Sequence, residues 1–184
     1  MSLARPDFPL PETQWPPAAE FWRAAAERRL ALPRCRGCGR LHWYPVGACR
    51  RCGASEARWE ALSGRGSLVT WTVVRHAFLP AFRDWLPFVT GLVALEEDPG
   101  ARLATRIVDC TPEELAADMP VEVVFRPLTF AGVEGEVLAP LFRPARGAQA
   151  GSTSSSGSPS ATSAPSSATS RTTRARSGRP PLGS

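Results

Sequence analysis

Four cysteines govern what this chain can become: Cys35, Cys38, Cys49 and Cys52 form two CxxC pairs separated by ten residues. Each pair is followed at once by a glycine, Gly39 and Gly53. Glycine takes a positive φ without steric cost, so the backbone can turn its N–H groups toward the thiolates, and the sequence supplies the turns along with the ligands. The spacing predicts two knuckles closing on one tetrahedral metal. Zinc is the first expectation and iron in a four-thiolate site the second, since the ligands alone do not separate the two. Disulfides are disfavoured, because the opening MSLARPDFPLPETQWPP has no apolar signal segment to direct the chain to an oxidising compartment. Four protein thiolates would also close the metal's shell and leave no position for water or substrate, so the expected metal is structural.

The 184 residues could hold one ordinary domain or two small ones, and the composition shifts abruptly near Arg146. From 147 to 184 the chain carries one large aliphatic residue, Leu182, and no aromatic. Such a segment cannot bury enough surface to offset its conformational entropy, and it is expected to be a disordered tail. The tail also changes what the charge means. All 22 permanently charged basic side chains are arginine, and four of them lie in the tail with no acid, which leaves the remainder at a net +1. A basic pI near 9.5 therefore says little about what the folded part binds. No apolar run approaches the ~20 residues that span a bilayer, so the chain is expected to be soluble, cytoplasmic and free of the membrane.

Pro16-Pro17 should end an extended arm, after which Phe21, Trp22, Ala25, Ala26 and Leu30 fall at helical spacing with Arg23, Glu27 and Arg28 between them. This predicts an amphipathic helix of about three turns, marginal alone, whose Phe-Trp face must dock on the chain or on a partner. A metal ribbon is expected over 32–60, stabilised by the metal because so short a segment builds too small a core. Beyond it the period changes to two. Val69, Trp71 and Val73 alternate with Thr70 and Thr72, and strand-like segments follow at 88–96, 102–109, 121–126 and 137–143. TPEELAADMP, between the third and fourth, reads as one capped helical turn. Five strands with a helical insert at that point predict an OB-fold, a small Greek-key barrel, over 61–146, with Pro140 marking an edge or bulged last strand. The fold class is thus mainly β: an arm and short helix (1–31), a four-cysteine zinc ribbon, a five-stranded barrel and a tail.

The connection from His76 to Pro87 is apolar where a solvent loop would be polar, with Phe78, Leu79, Phe82, Trp85 and Leu86 in one stretch. It is either a lid folded back on the barrel or a binding surface.

An FW helix, then CRGCG and CRRCG, then GRGSLVTWTVV, MPVEVVF and a closing FRPA together resemble one family. It is the family of zinc-ribbon plus OB-fold proteins known as a domain of unknown function and found beside thiolases and other acyl-CoA enzymes. The resemblance spans roughly 8–145 and does not reach the tail. It implies a non-catalytic subunit that binds a thiolase-like or related acyl-CoA enzyme, in some cases alongside a hydratase, and that in some assemblies helps form the site for the CoA thioester. The aromatics most suited to such an interface are Phe21, Trp22, Trp43, Phe78, Phe82 and Trp85, since these residue types anchor protein contacts.

Two other classes compete. A zinc ribbon joined to an OB-fold is also a nucleic-acid-binding plan, but a single-strand binder needs a basic groove and outward stacking aromatics, whereas this domain is nearly neutral and turns Trp71 inward. An enzyme in its own right would need a nucleophile and base. Cys110 is the only cysteine outside the pairs, and neither His42 nor His76 is tied to it by a motif, so Cys110 is expected to be a small buried hydrophobe and His42 a packing residue beside the knuckles.

Overall fold

A computed structural model describes residues 8–145 and Gly147, so the tail expected over 147–184 lies almost wholly outside the described residues. In chain order the elements are α1 (Ala19–Ala26), β1 (Ala31–Cys35), β2 (Ala57–Ala61), β3 (Arg65–Val74), β4 (Phe88–Leu95), β5 (Asp98–Ile107), β6 (Pro120–Leu128) and β7 (Val137–Pro144). Strands β1 and β2 pair antiparallel as a separate ribbon, and β3-β4-β5-β7-β6 close into a barrel. The protein is therefore mostly β, as the strand pattern predicts.

Helix α1 is shorter than its periodicity suggests, eight residues instead of about three turns. Its chain path breaks at Arg28, where φ is +57°, a left-handed turn that ends the helix and redirects Leu30 into the ribbon. The buried face is Phe21, Ala24 and Ala25; Ala26 faces solvent and Leu30 is buried from outside the helix. An eight-residue helix has little stability of its own. It is held because Phe21, 3% exposed, joins the core cluster, and burying a side chain of that size contributes about 1.5–3 kcal/mol. The expected docking of the Phe-Trp face is thus within the chain, against β1 and β7.

The barrel closes where β3 meets β6, with Arg65 opposite Glu122, Gly66 opposite Val121 and Ser67 opposite Pro120. On the other side β5 and β7 meet at a single parallel pairing, Ile107 with Phe142, where Val108 N–H donates to Phe142 O at 2.8 Å. That sparse seam leaves most of one edge of β7 unpaired, and Pro140, which has no N–H to give, sits opposite Phe125 on the paired side. Phe142, Leu68, Val93, Leu95 and Val121 fill the interior.

Two strand details differ from the alternation. The deepest residue of β3 is Leu68, fully buried, while Val69 is only half-buried: the register against β4 shifts between Leu68 and Thr70, so Val69 is the extra residue of a bulge and the inward face resumes at Trp71 and Val73. Strand β5 begins at Asp98, four residues before the apolar alternation, because a second shift between Ala94 and Leu95 lets the tight β4–β5 turn pair early. The insert after β5 is a single 3-10 turn, Pro112–Glu114, with Thr111 and Glu114 forming a reciprocal cap. Among the described residues no helix is long and apolar enough to cross a membrane.

Candidate metal centre and aromatic cleft

Cys35 closes β1 and Cys38 follows in the first turn; Cys49 and Cys52 stand on the second turn, before β2. The two turns are built alike. Gly39 N–H donates to Cys35 O at 3.0 Å and Gly53 N–H to Cys49 O at 2.8 Å, with φ of +73° and +77° at the two glycines. Arg34 braces the first turn: its Nη1 donates to Gly39 O at 2.7 Å, while Nε and Nη2 grip the Glu60 carboxylate of β2 at 2.8 Å each. This fork holds Glu60 below the usual carboxylate range and spans the ribbon from knuckle to opposite strand.

The four sulfurs lie within 4.8 Å of one another. Cys35 and Cys52 are 3.6 Å apart at sulfur, as are Cys38 and Cys49. Sulfurs about 2.3 Å from a central tetrahedral ion stand roughly 3.8 Å from each other, so the spacing fits such an ion with little adjustment. Electrostatics agree. The Cys52 N–H, supported by that of Arg51, pulls Cys49 down to about 6. At Cys52 the Ala54 N–H pulls the same way, but the neighbouring Cys35 and Cys49 sulfurs overcome it and push the thiol up to about 12. Four sulfurs this close cannot all ionise unless a cation lies among them, and the donor set is that of a thiophilic metal.

His42 stays outside this set. Its backbone N–H donates to Pro33 O at 3.0 Å, and its Nε2 is buried without a partner beside the second knuckle. Cys110 is half-buried against the core, where burial first, then Glu114 and Asp109, push its thiol up, away from the thiolate a nucleophile requires.

The six aromatics singled out from the sequence fall into three settings. Phe21 is interior and lies 4.3 Å, ring to ring, from Trp43, while Trp22 meets Phe21 edge-on at 5.0 Å. Phe82 and Trp85, on a 3-10 turn over Pro80–Trp85, fold back onto Phe130: Trp85 stacks on it at 4.4 Å and Phe82 meets it edge-on at 5.2 Å. Phe78 remains in solvent, 92% exposed, with Leu79 beside it at 43%. The second half of the apolar connection thus folds back on the chain, while its first half is open to solvent. Phe130 was invisible as a partner, since a lone aromatic in PLTFAGVEG has no periodicity to place it.

Between these groups runs a cleft of about 420 Å³, walled by the Phe21–Trp22–Trp43 cluster on one side and by Trp85, Phe88 and Phe130 on the other. Arg106 of β5 reaches into it with its guanidinium 4.2 Å from the Trp85 ring centre and 5.3 Å from that of Phe88.

The ribbon and the barrel both have counterparts among known proteins. Residues 22–57 match the rubredoxin-like zinc ribbon domain of ChsH2, and residues 59–126 match its C-terminal OB-fold domain. A DUF35 domain-containing scaffold protein of Methanocaldococcus jannaschii is 36% identical over 118 residues, 63% of this chain and 82% of that protein. A "Probable enoyl-CoA hydratase alpha subunit" of Thermomonospora curvata is 35% identical over 126 residues, 68% of this chain but only 37% of that longer protein. Among solved structures, a chain of an Ltp2-ChsH2(DUF35) aldolase superposes with a TM-score of 0.59 at 32% identity, covering 70% of this chain and 94% of that one. The ribbon, the barrel and these relatives together establish that the chain belongs to the DUF35 family of zinc-ribbon and OB-fold scaffold proteins.

Proposed function

We propose that this protein is a non-catalytic accessory subunit of an acyl-CoA-processing enzyme, a thiolase-like or retro-aldol and condensing partner, which it stabilises and whose CoA site it helps complete. The observation that carries this reading is the likeness, over nearly the whole of that chain, to the DUF35 component of an aldolase assembly. A second similar protein is named as a hydratase subunit, so a hydratase is a further candidate member of the assembly. Cys35, Cys38, Cys49 and Cys52 hold one zinc ion in the ribbon, over 32–60, with iron the lesser alternative. When bound, the ion supplies a closed tetrahedral cross-link between the knuckles. The exposed end of the 76–87 connection, at Phe78 and Leu79, is the part of the aromatic set free to meet the partner.

The test is co-expression with a thiolase-like or aldolase-type acyl-CoA enzyme from the same organism. The subunit reading requires that the enzyme be less soluble or less active alone, and that the two copurify. An enzyme equally soluble and active without this protein removes the reading.

A further inference from the structure

Arg106 stands apart from the other arginines whose side-chain contacts are described. Arg23, Arg34, Arg40, Arg65, Arg126 and Arg143 each pair with a carboxylate. Among the described residues, Arg106 pairs with none. Its Nε is buried and has no hydrogen-bond partner, its guanidinium lies over Trp85 and Phe88, and burial pulls it below the ordinary arginine range. An unmet charged donor in an aromatic setting is costly, so folded proteins rarely keep one without a partner arriving from elsewhere.

The cleft into which Arg106 reaches supplies the rest of a binding site. Its volume of about 420 Å³ lies in the range of small-molecule pockets, and its walls are mostly apolar. Polar groups are few. Thr90 Oγ1 and Thr105 Oγ1 are already spent on the backbone, at Thr105 O and Pro140 O. Among the described residues, no acidic side chain lines the cleft. The site therefore offers an aromatic trough with one cationic donor, the recognition pattern for a molecule with an apolar body and a single anionic acceptor.

We infer that this cleft is a binding site for an apolar carboxylate, an aryl or medium-chain alkyl acid, whose carboxylate meets Arg106 and whose body lies along Trp22, Trp43, Trp85 and Phe130. The free acid is the committed ligand; a neutral chain of the same length would lack the group that Arg106 needs. The inference concerns this chain alone and stands or falls apart from the subunit reading.

Decanoate, and decanol as its neutral counterpart, provide the probes, titrated into the full metal-loaded chain and followed by tryptophan fluorescence, since Trp85 lies beside the expected carboxylate. Decanoate should bind at least about tenfold more tightly than decanol, the factor a charge-assisted hydrogen bond supplies. Arg106→Gln should erase that preference while leaving decanol binding unchanged, a ratio that a merely structural arginine would not move. Ala104→Trp, which places a ring in the trough from an exposed position on β5, should abolish binding of both. Thermal melts and metal content verify that each variant is folded. Equal affinity for the acid and the alcohol, a preference that survives Arg106→Gln, or binding that survives Ala104→Trp in a folded variant would each overturn the inference.

Discussion

The backbone N–H of Leu41, in the metal ribbon, donates at 3.0 Å to Oδ2 of Asp98, at the start of β5 in the barrel. Asp98 is 6% exposed, and its other oxygen receives Gly100 N–H at 3.1 Å and Arg40 Nη2 at 3.1 Å. One carboxylate thus orders the turn into β5 and locks it to the segment that leaves the first knuckle. Leu41 itself is buried, so its N–H has no water to turn to if the carboxylate is lost.

Asp98→Ala should therefore destabilise the metal-loaded protein by about 2 kcal/mol, the scale for stranding a buried donor, which for a domain of this size lowers the thermal midpoint by roughly 5–10 °C. Asp98→Asn keeps one acceptor oxygen and should lose less. Melting curves of the two variants beside the parent decide the matter, and an unchanged midpoint in Asp98→Ala would show that the lock contributes nothing.

Asp98 also marks the limit of what the sequence makes legible. The knuckles, the strand order, the helical insert and the cap at Thr111 all rest on local spacing, and local spacing is read directly. The contact of Asp98 with Leu41 joins residues 57 positions apart and leaves no trace in either neighbourhood. The same holds for Phe130 under Trp85, and for Arg106, which in the strand LATRI looks like any solvent-facing charge. Leu68 was hidden for another reason: a bulge inserts one residue and moves the inward face off strict alternation, which a period of two cannot anticipate.

The purified protein should contain one equivalent of zinc. Cys38→Ser should strip the metal and unfold the ribbon, because a structural site of this kind couples binding to folding, whereas Cys110→Ser, outside the four-sulfur set, should leave metal content unchanged. Elemental analysis reads both. Less than half an equivalent of zinc or iron in the parent protein would rule out the site.

Metal uptake should also release protons. At pH 7 the Cys49 sulfur, drawn down to about 6, is already mostly thiolate and gives up little. Cys52, pushed up to about 12, holds its proton and must surrender it to bind. Binding therefore competes with protons, and apparent affinity should fall as pH falls. Calorimetric titration of the metal-free protein with zinc, in two buffers of different ionisation heat, measures the count; a value below about one proton per zinc at pH 7 would contradict the assignment at Cys52.

Phe78 gives the most direct probe of the partner surface. Phe82 and Trp85 rest against Phe130, and Phe21 belongs to the core, so truncating any of these perturbs the protein itself along with whatever it binds. Phe78, 92% exposed, touches His76 edge-on at 5.2 Å and otherwise faces solvent. A large aromatic held out in water loses nothing internal on truncation, so Phe78→Ala should leave the melting temperature within about 1 °C of the parent's. If the exposed end of the connection docks on an acyl-CoA enzyme, the same change should weaken the complex by about 2 kcal/mol, the mark of an anchoring aromatic. Leu79→Ala should act in the same direction and more weakly. Copurification followed by a binding titration separates the outcomes: a normal melt with a weakened complex places the interface at Phe78, and a normal melt with an undiminished complex moves it elsewhere.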